Sequence, residues 1–102
     1  MSTNKSFSTE TSERYSRALF EVSQDSNDLD KVENDIKNFK LIYDKNSELR
    51  NFIKDPSQII TEQNKLVNLI SDKFNFSKNL KKFLLLLIEK RRIFFVNKII
   101  ES

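Results

Sequence analysis

The segment "KNLKKFLLLLIE", residues 78–89, is the most apolar part of the sequence. Wound as an α-helix, it carries apolar side chains on one continuous stripe, which is enough to seat the helix in a core. The stripe consists of Leu80, Phe83, Leu84, Leu87 and Ile88. Its uninterrupted apolar run, "FLLLLI", is far shorter than the roughly 20 residues that a membrane span requires. The spacing therefore predicts a buried helix of a globular domain.

The same helix has a second apolar side. Leu85 and Leu86 lie roughly 120–140° from the centre of the stripe, at about 100° per residue. A helix that is apolar all round must be covered on all sides, and periodicity alone favours its complete burial among neighbouring helices. The alternative is that Leu86 faces outward into a groove that accepts another helix.

The segment "SERYSRALFEVSQ", residues 12–24, has the same double-faced character. Its apolar stripe, spaced i, i+3, i+4 and i+7, consists of Tyr15, Ala18, Leu19 and Val22. The bulky Phe20 falls well off that stripe. Two helices that are each apolar on more than one side suggest a groove between them.

The rest of the chain keeps helical spacing, and with no Gly and one Pro it contains few helix breakers. After a polar lead-in over residues 1–9, we predict helices over residues 10–24, 29–44, 48–54, one that follows Thr61 and includes Phe74, one over 78–91, and a short last helix with Val96, Ile99 and Ile100. The candidate N-terminal caps are Ser8 or Thr9, Asp28, Ser47 and Thr61, and the fifth helix is expected to begin after Ser77. The predicted fold is all-α, a compact bundle of five to six short helices forming a single domain over residues 10–102.

The composition excludes several kinds of functional site. Without Cys the chain has neither disulfides nor thiol chemistry, and without His it lacks the commonest general base and metal ligand. Without Gly it cannot form phosphate-cradling loops or dinucleotide fingerprints. No paired arrangement of the remaining Asp, Glu, Lys or Ser residues stands out. We therefore predict a non-enzyme that holds no cofactor and no metal.

Several segments, in order, resemble a known family. "RYSRALFEVSQ" is similar to the opening helix of the delta subunit of bacterial F-type ATP synthases, whose mitochondrial counterpart is the oligomycin-sensitivity-conferring protein. "DLDKVENDIKNF", "NSELRNFIKDP" and "KNLKKFLLLLIEKRRIFFVNKII" resemble the later helices of its N-terminal domain. Nearly the whole chain past residue 12 takes part, and the ordered set carries the resemblance rather than any one motif.

The chain departs from the family pattern in one turn and in extent. Members usually close the fifth helix with Glu-Asn-Gly-Arg-Leu, where this chain reads Glu89-Lys90-Arg91-Arg92-Ile93. That turn must form without Gly, at some cost in strain. The match covers only the N-terminal domain, so the family's C-terminal stalk-binding domain is expected to be absent from this chain.

The resemblance implies a non-catalytic stator component of a rotary proton- or sodium-translocating ATP synthase. In the family, a groove between the first and fifth helices binds N-terminal helices of alpha subunits, and the subunit ties the catalytic head to the peripheral stalk. When the groove residues of the family are carried over one by one, the resemblance implies that the groove of this chain is formed by Tyr15, Ala18, Val22, Lys82, Phe83 and Leu86. In that groove the small Ala18 lets a partner backbone come close, Tyr15 is an anchor, and Leu86 faces the partner.

The resemblance also implies where the protein works. The peripheral-stalk b subunit would be contacted only through the missing C-terminal domain, and membrane contact would be indirect, through the complex. The expected location is the cytoplasmic face of the bacterial inner membrane, or its organellar equivalent, as a peripheral part of the ATP synthase. No small-molecule substrate is expected.

A basic cluster at both ends of the fifth helix offers an alternative. It consists of Lys78, Lys81, Lys82, Lys90, Arg91 and Arg92 and could belong to a small basic helical nucleic-acid-binding module. Cations near a helix C-terminus also stabilise its dipole by roughly 0.3–1 kcal/mol each, without any ligand. No recognition motif accompanies the charge, so a nucleic-acid partner is not expected. Apolar groove binding should depend only weakly on salt, whereas nucleic-acid binding should depend on it steeply.

Overall fold

A computed structural model describes the backbone of residues 2–100 and the side chains of residues 10–94 and 96–100. Within residues 2–100 the chain forms six α-helices and a short 3-10 turn, and no strand. The helices are α1 (Ser2–Asp25), α2 (Leu29–Lys45), α3 (Ser47–Lys54), α4 (Ile60–Phe74), α5 (Lys78–Glu89) and α6 (Val96–Ile100), with the 3-10 turn Ile93–Phe95 before α6. The predicted all-α bundle is confirmed. No helix in this described part is both long and apolar enough to cross a membrane.

The first helix is longer than the sequence pattern predicted. It begins at Ser2 rather than near Glu10, so residues 2–9, expected to be a polar lead-in, continue the helix. The expected cap at Ser8 or Thr9 is therefore wrong. The lead-in contains neither Pro nor Gly, and polar side chains alone do not stop a helix.

The α5 helix begins after Ser77, as predicted, whereas the predicted cap of α3 is wrong. Ser77 Oγ accepts a hydrogen bond of 3.1 Å from the backbone N–H of Leu80. At α3 the cap is Asn46, whose side-chain oxygen accepts a bond of 3.0 Å from the backbone N–H of Leu49. Ser47 is instead the first helical residue. Asn and Ser cap comparably well, so propensity could not choose between these neighbours.

The caps predicted for α2 and α4 also differ from the structure. Asp28 does precede α2, but its side chain makes no cap bond. It accepts instead a hydrogen bond of 3.3 Å from Asn79, on α5. Thr61 lies inside α4, which begins after Ile59. At neither of these two starts does the side chain of the preceding residue cap the helix.

The α5 helix forms the centre of the bundle and packs against α1, α2 and α4. The predicted stripe is confirmed, because Leu87 and Ile88 are 0% exposed and the other members are buried as well. The surrounding core is built from Leu19, Val32, Phe39, Tyr43, Leu49, Ile53, Val67, Phe76, Ile93, Val96 and Ile99.

A buried carboxylate fixes the start of α5. Asp35 of α2 is 2% exposed and accepts a hydrogen bond of 2.7 Å from the backbone N–H of Ser77. Lys31 lies 3.2 Å from the same carboxylate and also donates to the backbone carbonyl of Asn75 at 2.8 Å. Since buried carboxylates are costly without such partners, this pairing ties the α4–α5 loop to α2. The sequence pattern did not single out Asp35.

Three described non-Gly residues have a left-handed backbone. Asn27 (φ 59°) and Asn75 (φ 54°) are residues that tolerate this conformation, but Arg91 (φ 60°) is not. Arg91 follows α5, where the backbone N–H of Arg92 bonds the carbonyl of Leu87 at 2.7 Å. This is the helix-ending turn that normally uses Gly, so the chain forms it without Gly, as predicted.

Candidate functional site

A groove with a volume of about 630 Å³ lies between α1 and α5. It is lined by Arg14, Tyr15, Ala18, Leu19, Val22, Asn79, Lys82, Phe83, Leu86 and Arg92. The structure thus brings together all the residues that the sequence analysis proposed for a groove. The residues that sequence reasoning did not propose for it are Arg14, Leu19, Asn79 and Arg92.

The two helices run antiparallel along the groove. At one end, Arg92, just beyond α5, donates a hydrogen bond of 2.7 Å to the hydroxyl of Tyr15. At the other end, Asn79, in the first turn of α5, bonds Asp28, which follows α1. The groove therefore has a Tyr15 end and an Asn79 end.

The floor of the groove is aromatic and continuous with the core. The rings of Tyr15 and Phe83 meet edge to face, with centroids 6.2 Å apart and planes at 72°. Phe83 and Leu19 are each 7% exposed, so the floor is already packed without a partner. A floor of this kind gives a docking segment a rigid apolar surface.

The rims are two rows of residues at helical spacing. On α1 the row is Arg14, Ala18 and Val22; on α5 it is Asn79, Lys82 and Leu86. Val22 is 47% exposed and Leu86 is 40% exposed. Complete burial of α5, which periodicity alone favoured, is therefore wrong at Leu86. The other apolar residues of α5 are buried or partly buried by the neighbouring helices, whereas Leu86 is exposed toward the groove.

The buried face of α1 is rotated from the stripe that the sequence indicated. Of that stripe Leu19 alone is fully buried, whereas Ala18 and Val22 are exposed. Ser12 and Ser23 are 0% exposed in their place. Small hydroxyl side chains let α1 approach its neighbours closely, and this leaves the apolar stripe free to line the groove.

Arg92 holds Tyr15 at its end of the groove. Besides the hydrogen bond, its guanidinium carbon lies 5.6 Å from the centre of the Tyr15 ring, within cation–π range. No sequence signal could have found this contact, because it depends on the left-handed turn at Arg91. Arg14, by contrast, was findable, since it stands four residues before Ala18 on the same helix row.

A second, smaller cavity of about 370 Å³ lies on the other flank of α1. Phe20, the residue off the predicted stripe, lines it and is 47% exposed. Leu19 and Phe83 line both spaces, so they separate the two. The two-sided apolar character of α1 thus reflects a space on each side of the helix.

Several members of the basic cluster make contacts within the protein. Lys81 lies 3.9 Å from the carboxylate of Asp72, and Arg91 donates to the backbone carbonyl of Gln58 at 3.1 Å. Arg92 is bound to Tyr15, as described above. In the described part of the chain, no three His, Cys, Asp or Glu side chains lie close enough together to hold a metal ion.

Comparison with known proteins gives a consistent result. The family described as "ATP synthase delta (OSCP) subunit" matches residues 11–102. The ATP synthase subunit delta of Pelagibacter ubique (strain HTCC1062) is 35% identical over 102 residues, which cover 100% of this chain and 55% of that protein. The subunit delta of Rhodospirillum rubrum is 32% identical over 96 residues, or 94% of this chain and 52% of that protein. That of Gloeothece citriformis (strain PCC 7424) is 35% identical over 100 residues, 95% of this chain and 52% of that protein. The chain spans about half the length of the curated relatives it matches.

Proposed function

The chain belongs to the ATP synthase delta (OSCP) subunit family, and we propose that it works as a non-catalytic stator component of an ATP synthase. Its α1–α5 groove binds the N-terminal helix of an alpha subunit. The subunit thereby ties the catalytic head to the peripheral stalk, so that the head does not turn with the rotor. Contact with the b subunit of that stalk belongs to the family's C-terminal domain rather than to this groove.

The observation that carries the proposal is an exposed apolar groove whose floor is already packed. Val22 and Leu86 remain 47% and 40% exposed on opposite rims, above the Tyr15–Phe83 floor. Exposed apolar surface of this kind, rimmed by polar residues, is typical of a protein-binding site. An amphipathic helix laid between the rims would remove it from water.

Each rim residue has a role in this binding mode. Ala18 is exposed and small, so the backbone of the incoming helix can approach α1 closely. Leu86 and Val22 then contact the apolar side of that helix from opposite rims. Tyr15 is held in place by Arg92 at 2.7 Å, which makes it a pre-ordered anchor.

The location of the chain follows from the proposed complex. The chain would be a peripheral part of an ATP synthase on the cytoplasmic face of the bacterial inner membrane, or in an organelle, and would reach the membrane only through its partners. The complex itself would translocate protons or sodium ions.

The alternative of a nucleic-acid-binding module has less support. Of the basic cluster, Lys81, Arg91 and Arg92 make contacts with the protein's own groups. Charge of this kind is typical of helix ends and loop anchoring. Binding to nucleic acid would survive Ala18→Asp and would fall steeply with salt.

Calorimetric titration with a peptide of the alpha-subunit N-terminal segment from the same organism tests the proposal. Ala18→Asp places an uncompensated carboxylate in the apolar contact, so we expect binding at least about 100-fold weaker. Gln24→Asp is the matched control, since it adds the same charge to an exposed position of α1 outside the groove, and it should bind normally. If the folded chain does not bind the peptide, or if Ala18→Asp binds it normally, the proposal is wrong.

A further inference from the structure

We infer that the groove selects an amphipathic helix that carries carboxylates at both edges of its apolar stripe. The inference rests on the proposed function and adds the chemistry by which the partner is recognised. Arg14 and Lys82, one on each rim, are the residues that read those carboxylates.

The charged side chains that line the groove are all positive. Its polar side chains other than the Tyr15 hydroxyl are Arg14, Asn79, Lys82 and Arg92, and no carboxylate is among the lining residues. Within the described side chains, no ion pair joins Arg14, Lys82 or Arg92 to an Asp or Glu. An apolar trough bordered by unpaired cations is electrostatically complementary to a helix with acidic flanks.

The positions of the two cations determine where the carboxylates of a bound helix would lie. Arg14 stands one helical turn before Ala18 on the α1 rim, and Lys82 stands one turn before Leu86 on the α5 rim. Because the two helices are antiparallel, Arg14 lies toward the Tyr15 end and Lys82 toward the Asn79 end. A helix whose apolar side contacts Ala18 and Leu86 therefore presents one flank to each cation. Carboxylates on those flanks, at both edges of the apolar stripe, would meet Arg14 and Lys82.

The test removes the two rim charges and compares the result with a charge-matched control. Arg14→Gln/Lys82→Gln should bind the alpha-subunit peptide about 4- to 25-fold more weakly, from about 2- to 5-fold for each rim-exposed pair. Arg17→Gln/Lys78→Gln loses the same charge from the same helices at exposed positions outside the groove, and should bind within about 2-fold of the unchanged protein. The unchanged protein should also lose affinity moderately with salt, and the rim variant should lose less.

A second measurement does not depend on the folding of any variant. The same peptide with every Asp and Glu changed to Asn and Gln should bind the unchanged chain more weakly, by the factor seen for Arg14→Gln/Lys82→Gln. Against that variant, the neutral and acidic peptides should bind equally.

The outcomes separate this inference from the proposed function. If Ala18→Asp abolishes binding while Arg14→Gln/Lys82→Gln matches its charge-matched control, the groove binds a helix without reading its carboxylates, and the inference fails alone. Equal binding of the acidic and neutral peptides to the unchanged chain would overturn it in the same way. Absence of any peptide binding to the unchanged chain would overturn the proposed function and the inference together.

Discussion

At position 91, Gly should leave this protein more stable than Ala does, although both replacements remove a charged side chain and a hydrogen bond. Arg91 has φ 60° in the turn that ends α5. In that region the Cβ of any residue other than Gly crowds the neighbouring carbonyl. The turn itself, closed by the 2.7 Å bond from Arg92 to Leu87, does not need the Arg91 side chain.

The magnitude follows from opposing terms. A left-handed backbone costs a non-Gly residue about 1–2 kcal/mol, which Gly avoids. About 0.5–1 kcal/mol of this gain is lost, because Gly gives the unfolded chain more conformational freedom. The exposed bond from Arg91 to the carbonyl of Gln58, 3.1 Å long, contributes about 0.5 kcal/mol. Arg91→Ala loses that bond but keeps Cβ, so Arg91→Gly should exceed Arg91→Ala by about 1 kcal/mol. For a chain of this size that is a Tm difference of about 4–8 °C.

Thermal and urea unfolding followed by circular dichroism would measure the difference. Lys90→Gly is the matched control, because Lys90 has an ordinary backbone (φ −84°) in the same turn. There Gly should destabilise by about 0.5–1 kcal/mol. The reasoning is refuted if Arg91→Gly is no more stable than Arg91→Ala, or if Gly has the same effect at both positions.

Other predictions concern positions that fix α5 and its neighbours. Asp35→Ala should lower the free energy of unfolding by about 2–4 kcal/mol in urea titrations, because it leaves the buried N–H of Ser77 unpaired; a loss below about 1 kcal/mol would contradict the role given to this carboxylate. Ser77→Ala should lower the free energy of unfolding by about 1 kcal/mol and Ser47→Ala by only a few tenths, because the side chain of Ser77 caps a helix and that of Ser47 does not. Equal losses in the two variants would refute the cap assignment. The pKa of Asp55 lies below its ordinary value because of hydrogen bonds from the Ser57 side chain and backbone, so Ser57→Ala should raise it in an NMR titration. Since the pKa of Asp55 is lower in the folded state than in the unfolded state, these bonds stabilise the fold at pH values above the unfolded-state pKa. That stabilisation is lost as the pH falls through the folded-state pKa. If Ser57→Ala leaves the pKa of Asp55 unchanged, the Ser57 side chain is not the main cause of the lowered pKa.

Much of the candidate site was predictable because it lies on two regular helices. Once a helix is assumed, Tyr15, Ala18 and Val22 share one face whatever surrounds them, and so do Lys82 and Leu86. The resemblance to a family then indicated which faces meet. Arg92 was not predictable, because its place beside Tyr15 depends on a left-handed residue that sequence spacing does not reveal.

The pattern of residues was enough to predict that the chain is helical, where most helices begin and end, and that the stripe of α5 fills the core. These are local or periodic properties, and the lack of Gly and the single Pro left little to interrupt them. The packing of the helices set which face of α1 is buried, with Ser12 and Ser23 at 0% exposure beside Leu19 while Ala18 and Val22 stay exposed. It also decided that Leu86 stays exposed, since the burial of a helix depends on which neighbours reach it and not on its own pattern alone.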